Sequence, residues 1–222
     1  MTQRQDGPIW LRPEQARAGR PAERSRAEIT AAAVELADRE GLDAVSMRRV
    51  ATALGTGAAS LYRYVATRDE LLDLMTDSVA AEYDLPAPGG DWQADLLAVA
   101  RQARQIMRRH PWLPARVIGR PALGPHGADL LEHVLTVLAD HPAAPARKVE
   151  AFALLGGLTA LFAQNEAAAD DDAAHRTAYL RRLAADGGHP RIAALFTPGG
   201  AAAAPGDPFE DVLVRALAGV LG

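Results

Sequence analysis

Apolar residues recur at three- and four-residue spacing along most of this chain. The first clear run places Ile29 and Leu36 on one face of a helix, and Gly41 follows where a left-handed residue commonly ends one. Shorter runs with the same period lie within residues 46–79, and longer ones continue from residue 91 onward. No alternating pattern typical of a β-hairpin interrupts them. The pattern predicts an all-α protein.

Two breaks in this pattern divide the chain into three parts. Residues 1–22 contain three Pro, two Gly and four Arg without apolar periodicity, which predicts a flexible, arginine-containing arm. Within that arm, Ile9–Leu11 is the exception and is expected to dock. The second break is the Pro- and Gly-rich segment 85–90. We therefore expect a helix-turn-helix head with a connecting helix at residues 23–84 and a helical body at residues 85–222.

The overall charge at first argues against nucleic acid as a partner, because 28 acidic and 24 basic residues give a net charge of −4. The distribution of charge changes this picture. From Ala44 to Arg68 there are four Arg and no acidic residue, so this window carries +4. A basic window in an acidic chain indicates a surface that meets phosphates.

Several classes of protein are disfavoured by what the sequence lacks. With no Cys there is no disulfide or thiolate metal site, and the longest uncharged apolar run, Ala151–Ala163, is too short to span a bilayer. Because no signal peptide is recognisable, we expect a cytoplasmic protein that does not enter membranes. None of the four Ser lies in a G-x-S-x-G motif, and there is no H-E-x-x-H motif or P-loop. We expect no enzymatic activity and no cofactor.

The segment Met47–Val65 is the most informative part of the sequence. It predicts two short helices that cross at the small residue Ala51, with Gly55 supplying the turn and Leu61 filling the core. Small and hydroxyl-bearing residues on the outer side of the second helix suit insertion into a DNA major groove, where an arginine binds phosphate or guanine. The outward residues are Gly57, Ala58, Ser60, Tyr62, Arg63 and Tyr64. One of the two tyrosines could instead be half buried.

At these residues the sequence resembles the TetR family of transcriptional regulators. The resemblance lies in Ile29-x-x-Ala-Ala, Ser46-Met-Arg-Arg-Val-Ala-x-x-Leu-Gly55, Ser60-Leu-Tyr-Arg-Tyr-Val65 and Thr67-Arg-Asp-Glu-Leu-Leu72. It implies a three-helix DNA-binding head and a helical body that binds a small molecule and forms a homodimer. The resemblance therefore implies a transcriptional regulator. Of the two kinds, we expect a repressor, which a small-molecule effector of unknown identity releases from a palindromic operator.

The resemblance also implies which residues contact DNA. Carried over by position, the contacts fall on Arg48, Ala58, Ala59, Ser60, Tyr62, Arg63 and Tyr64, with Arg68 at a phosphate-binding position; Gly57 and Thr67 complete the predicted set. Alanine at positions 58 and 59 replaces residues that reach base edges in some members of the family. Direct readout would therefore depend on Arg63.

The C-terminal half supplies candidates for the implied pocket and dimer interface. The apolar pocket candidates are Trp92, Met107, Trp112, Phe152, Leu155 and Phe162, and for each of them a core position is the commoner explanation. Asn165 is a polar candidate that could equally cap its helix. Helices near residues 149–164 and 209–221 are expected to pair across a two-fold axis. Their interface candidates are Leu154, Leu158, Leu161, Phe209, Val212, Leu213, Leu217 and Val220.

No metal site is expected. The side chains of His126, Asp129, Glu132 and His133 recur at spacings that can bind metal, but an exposed charged face is the commoner explanation. Tetracycline repressors carry a metal-binding His near the segment that corresponds to residues 115–120, which here contains none. A magnesium–tetracycline ligand is therefore not expected.

Two other functions remain open at this stage. The chain could be a helical small-molecule-binding or enzymatic protein whose head no longer binds DNA. The head could also bind a protein, although the acid-free basic window argues against that use.

Overall fold

The structure is a computed structural model that describes residues 7–13, 24–120, 123–167, 171–197 and 207–222. These ranges contain helices and no strand, which confirms the all-α fold. None of their helices has the length and hydropathy needed to cross a membrane. The helices are α1 (Arg26–Glu40), α2 (Met47–Ala53), α3 (Ala58–Leu61), α4 (Arg68–Ala80), α5 (Trp92–Arg109), α6 (Leu113–Gly119), α7 (Pro125–Val137), α8 (Pro145–Ala167), α9 (Asp171–Ala185), α10 (Pro190–Leu195) and α11 (Pro208–Leu221).

Local sequence signals set the ends of the head helices. Ser25 accepts a hydrogen bond from the Glu28 amide, and the Glu28 carboxylate accepts one from the Ser25 amide, so a capping box begins α1. Gly41 ends α1 with a φ of 82°, and Gly55 turns the chain between α2 and α3 with a φ of 65°. Both glycines occupy the turn positions that the sequence predicts for them.

A short N-terminal segment is docked on the head. Ile9 is buried in the same core as α1 and α4. The Arg26 guanidinium donates hydrogen bonds to the carbonyl oxygens of Ile9 (3.3 Å) and Tyr64 (3.1 Å). Residues 7–13 are therefore held by an apolar anchor and an arginine, unlike the flexible arm predicted for them, although the docking of Ile9 was expected. The rest of the arm within residues 1–22 lies outside the described residues.

The body is organised around α8. This helix packs against α5, α6, α7 and α11, which agrees with its nearly uniform apolar sequence. A second core within the body includes Leu96 of α5, Leu138 after α7 and both Phe209 and Leu213 of α11. The longest helix of the chain is thus the scaffold on which the other body helices are placed.

Helix α4 connects the head to the body. Its first half packs against α1 in the head, where Leu71 and Leu72 are buried. Its second half packs against α7 in the body. A displacement of α4 would therefore change the packing of both the head and the body.

Candidate nucleic-acid interface and ligand cavity

The helix-turn-helix is held by small and apolar residues between its two helices. Ala51 on α2 and Leu61 on α3 are buried, as the sequence predicts for the crossing point and the core. Packing at these positions leaves Ala59 of α3 and the following Tyr62 and Arg63 exposed on the outside of the head. This is the arrangement in which a second helix can enter a groove.

Two arginines on this surface are available for a ligand. Arg48 on α2 is exposed and forms no ion pair within the described part of the chain. The Nε atom of Arg63 lies 3.5 Å from the Ser60 carbonyl oxygen, which is at the outer limit for a hydrogen bond. Arg49, in contrast, forms an ion pair of 2.6 Å with Glu40, so its charge is partly neutralised.

The remaining predicted DNA contacts differ in exposure. Gly57, Ala59 and Thr67 are exposed, Tyr62 keeps 52% of its surface, and Ala58 packs partly against the head core. The Ser60 hydroxyl donates to the Gly57 carbonyl oxygen at 2.7 Å and also lies 2.9 Å from the Thr56 hydroxyl. Ser60 must therefore exchange an internal hydrogen bond to donate to a phosphate.

The structure gives Tyr64 and Arg68 roles that the sequence did not reveal. Tyr64 is only 7% exposed and belongs to the head core, so its ring is not free to contact DNA. Arg68 donates from Nε to the Val45 carbonyl oxygen (2.7 Å) and from a terminal nitrogen to that of Leu42 (2.9 Å). Two of its five N–H donors fix the α1–α2 connection, and the other three could reach a phosphate because the residue is exposed.

An apolar cavity of about 300 Å³ lies in the body, against α4. This size is at the lower end of the range for small-molecule sites. The lining comes from α4 and the turn after it, α5, α6, α7 with Leu123 shortly before it, and α8. It consists of Thr76, Asp77, Val79, Ala80, Tyr83, Ile106, Met107, Leu113, Val117, Leu123, Gly127, Leu130, Leu131, Val149, Phe152, Leu155 and Gly156.

Three of the predicted pocket residues, Met107, Phe152 and Leu155, line this cavity. The other four do not line the cavity: three contact residues elsewhere in the structure, and one is exposed to solvent. Trp92 packs edge-on against His141, Trp112 donates a hydrogen bond to Asp38 in the head, Phe162 packs edge-on against Phe209, and Asn165 is exposed. The contribution of α4 to the cavity could not be predicted from the sequence, because it depends on the tertiary arrangement.

Asp77 is the charged residue of the cavity wall. Its side chain is buried, and its two oxygens accept hydrogen bonds from the Gly127 amide (2.9 Å) and the His126 ring (3.0 Å). Gly124 lies so close that a Cβ there would be 2.4 Å from the Asp77 side chain. These contacts fasten α4 to the start of α7. His126 thus has an intramolecular partner, and no cluster of three metal-ligating side chains occurs among the described residues.

A second polar junction joins the head to the body at His110. The imidazole lies between Asp38 of α1 and Glu82, which follows α4, and Arg109 also binds Glu82. Burial raises the pKa of the Glu82 carboxyl, but the hydrogen bonds from Arg109 and His110 outweigh it and hold the pKa below its ordinary value. The junction therefore favours the ionised carboxylate.

Arginines of α5 organise the ion pairs of the body. Arg104 binds both Glu166 and Asp207, Arg108 also binds Glu166, and Arg101 binds Glu210 at 2.7 Å. The hydrogen bond from Arg104 lowers the pKa of Asp207. Burial raises the pKa of Glu166, but its two arginines bring it below the ordinary value. These carboxylates tie α5 to α8 and to the start of α11.

The predicted dimer residues divide into two groups. Phe209, Leu213 and Leu217 are buried within the single chain, so they are core residues that have no surface to offer a partner. The others retain accessible surface on the outer faces of α8 and α11; they are Leu154, Leu158, Leu161, Val212 and Val220. The first group was assigned wrongly because periodicity does not distinguish the inner from the outer apolar face of a helix.

The fold is that of a helical helix-turn-helix protein with an apolar cavity in its body, and comparisons with known proteins identify its family. Residues 29–75 match the model for bacterial regulatory proteins of the tetR family, and residues 85–222 match that for the tetracyclin repressor-like C-terminal domain. The chain belongs to the TetR family.

Similar curated proteins are transcriptional regulators. The HTH-type transcriptional repressor DrrR1 of Streptomyces coeruleorubidus is 52% identical over 112 residues, which cover 50% of this chain and 42% of that protein. An HTH-type transcriptional regulator of Saccharopolyspora erythraea is 39% identical over 134 residues, which cover 60% and 56% of the two chains. The chain thus matches about half the length of these curated relatives.

Among solved structures, the TetR family protein ActR of Streptomyces coelicolor is similar over nearly the whole chain. Its complex with (S)-DNPA gives a TM-score of 0.77 at 32% identity and covers 89% of this chain and 97% of ActR. Its complex with actinorhodin gives 0.76 at 30% identity, with coverage of 90% and 96%.

Proposed function

We propose that this protein is a sequence-specific DNA-binding repressor that a small-molecule effector releases from a palindromic operator. The observation that carries the proposal is the double role of α4. Its first half belongs to the head core through Leu71 and Leu72, and its second half forms a wall of the body cavity through Thr76, Asp77 and Val79. A ligand that fits the cavity better with α4 displaced would shift the position of the head.

The DNA-binding surface of this proposal is the exposed face of α2 and α3. Arg48 and Arg63 supply positive charge, Tyr62 supplies a hydroxyl, and Ala59 lets the backbone approach the groove closely. Arginine at position 63 is the best candidate for contact with a guanine edge, whereas Arg48 suits a phosphate. The curated relatives named as transcriptional regulators support this use of the surface.

The body cavity is the proposed effector site. It is mostly apolar, as small-molecule sites usually are. The ActR complexes with (S)-DNPA and with actinorhodin support a small-molecule effector for this chain as well. A regulator role leaves no catalytic step to assign to the cavity residues.

We also propose a homodimer formed by α8 and α11. Leu154, Leu158 and Leu161 form an accessible apolar stripe on α8, and Val220 continues it on α11. At Gly157 a Cβ would meet nothing within 4 Å, so a partner helix could approach closely there. Two copies of α8 and α11 would make a four-helix interface and present two heads to successive major grooves.

The proposal is tested by fluorescence anisotropy with duplex DNA from the region flanking the gene. Wild-type protein should bind with an affinity that falls steeply as salt rises. The double variant Arg48→Ala/Arg63→Ala should lose at least about tenfold in affinity while keeping its helical circular dichroism spectrum. Equal affinity of the two proteins for this DNA would contradict the assigned surface.

A further inference from the structure

The lining of the cavity against α4 is apolar except for a few polar groups, one of which is charged. Its described lining carries one formal charge, the carboxylate of Asp77, and no Arg, Lys or His. The hydroxyl of Thr76 already donates to the Leu72 carbonyl oxygen at 2.9 Å. Most of the other lining residues are aliphatic or aromatic. A ligand inside would therefore meet an apolar wall and one negative charge.

Asp77 has capacity to bind more than its present partners. A carboxylate offers about four acceptor positions. One oxygen accepts from the Gly127 amide and the other from His126, so each oxygen uses a single described donor. The His126 side chain is about half exposed, which lets solvent screen its influence on the cavity. The carboxylate therefore remains an acceptor for a donor arriving from the cavity side.

The surrounding cations do not offset this charge. Arg116 binds Asp73 at 2.8 Å, and Arg120 is shared between Asp69 and Asp73. These arginines are engaged by carboxylates on the neighbouring turns of α4 and are absent from the cavity lining. An anionic ligand would face Asp77 without a compensating cation, which is costly in a site of low dielectric.

Tyr83 is the second polar group on the wall. Burial raises the pKa of its hydroxyl, so the group stays neutral and able to donate. No hydrogen bond of this hydroxyl occurs among the described residues. Tyr83 can therefore pair with a polar atom on the ligand without giving up an internal partner.

We infer that the cavity takes an apolar cation: a compact hydrophobic skeleton carrying a protonated amine that hydrogen-bonds to Asp77. Anionic molecules of the same shape are rejected. The inference deepens the proposed function, because it rests on this cavity being the effector site. An apolar cavity of roughly 150 Å³ holds benzene, so a two-ring skeleton suits this one.

The test uses three matched probes and the full-length chain without DNA. Isothermal titration calorimetry at neutral pH compares 1-naphthylmethylamine, which is protonated, with 1-naphthylmethanol and with 1-naphthoate. The ammonium should bind at least about tenfold more tightly than the carboxylate, with the alcohol between them. Equal affinities, tighter binding of the carboxylate, or no saturable binding of the ammonium up to about 1 mM would overturn the inference.

Two charge-matched variants locate the preference. Asp77→Asn should reduce the preference to less than about threefold, whereas Asp129→Asn, which removes the same charge from the exposed face of α7, should keep it. If Asp129→Asn changed the ratio as much as Asp77→Asn, the preference would come from overall charge, and the inference would be wrong.

Asp77→Asn also disturbs the junction of α4 with α7, so a further variant is needed. Gly156→Leu adds a side chain to the cavity wall, where a Cβ makes only an ordinary 3.7 Å contact with Val117. It should abolish binding of the ammonium while the helical spectrum is retained; unchanged binding would place the probe outside the cavity. Because DNA is absent from the calorimetry, its outcome is independent of whether DNA is released. Tight, selective binding without release of DNA would contradict the proposed function alone.

Discussion

The Nδ1 atom of His110, in the turn after α5, lies 2.8 Å from a carboxylate oxygen of Asp38 on α1. The other ring nitrogen lies 2.8 Å from Glu82, just after α4. Both distances are within hydrogen-bonding range, so the imidazole bridges the two carboxylates. One residue of the body thereby holds the first and last helices of the head.

Replacing His110 should loosen this junction. His110→Ala removes both contacts and leaves Asp38 and Glu82 with fewer donors, so we expect a loss of about 2 kcal/mol in the free energy of unfolding. Urea denaturation followed by circular dichroism measures it. His189→Ala, at an exposed position before α10, is the control and should leave the midpoint unchanged. Equal midpoints for the two variants would show that the junction contributes nothing.

The two tyrosines around α3 should behave in opposite ways. Tyr64→Ala empties a buried site in the head core and should cost about 3 kcal/mol of stability. Tyr62→Ala removes an exposed ring and should leave stability within about 0.5 kcal/mol while weakening DNA binding. Thermal unfolding and anisotropy with labelled DNA test the pair. If Tyr64→Ala were as stable as the wild type but impaired in DNA binding, Tyr64 would be a DNA contact and not a core residue.

Arg48 and Arg49 give a matched test of phosphate contact. Both changes to Ala remove one positive charge from α2, but Arg49 is already paired with Glu40. Arg48→Ala should lower the slope of log affinity against log salt by about 0.9, the value for one released counterion, whereas Arg49→Ala should change it less. Anisotropy titrations over a range of salt provide the slopes. The reverse order would show that the Arg49–Glu40 pair opens on DNA.

Acid should weaken the ion pairs that hold the body together. The pKa values of Glu166, Asp207 and Glu210 are lowered in the folded chain, so their ion pairs stabilise it at neutral pH. That contribution is lost as the pH falls from about 4.5, the ordinary value for Glu, through the lower folded values. The unfolding midpoint of the wild type, measured from neutral pH down to below about pH 4.5, should therefore fall at the acid end of the series.

Among the arginines of α5, Arg104 should contribute most to the change of the unfolding midpoint with pH, because it pairs with two carboxylates. Arg104→Gln removes the arginine partner of Asp207 and one of the two arginine partners of Glu166, so it should reduce the pH dependence. Arg147→Gln removes an exposed pair with Glu150 on one helix and should keep the wild-type curve. Parallel curves for wild type and Arg104→Gln would contradict this account of the body.

The dimer proposal depends on the accessible stripe of α8. Leu158→Glu places a charge in the centre of the proposed interface and should give a monomer in sedimentation velocity at micromolar concentration. The control is Leu11→Glu, at a position 80% exposed on the head. It should sediment as the wild type does. If the wild type were itself a monomer at this concentration, the proposed α8–α11 interface would be wrong.

Sequence periodicity and turn residues predicted the helices because both are local properties. Gly41 and Gly55 act within a few residues, so their roles could be predicted from neighbouring positions. Exposure was harder to predict. Tyr62 and Tyr64 are two residues apart, and only the packing of α3 on the head core decides which of them is buried.

The cavity could be predicted only in part, because its walls come from distant segments. Met107, Phe152 and Leu155 were recognisable as large apolar residues of the body. Asp77 and Tyr83 were not, since nothing in the sequence of α4 or its following turn indicates that this part of the chain faces the body. Trp112 was assigned to the pocket, but its indole donates to Asp38 at the head–body junction.

Selection from a random duplex library by the full-length protein tests the central claim most directly. The account predicts enrichment of an inverted repeat whose half-sites are centred about one helical turn, or roughly 34 Å, apart. The Arg48→Ala/Arg63→Ala protein, selected in parallel, should enrich no such repeat. A wild-type selection that yields no enriched motif, or the same motif for both proteins, would contradict the account.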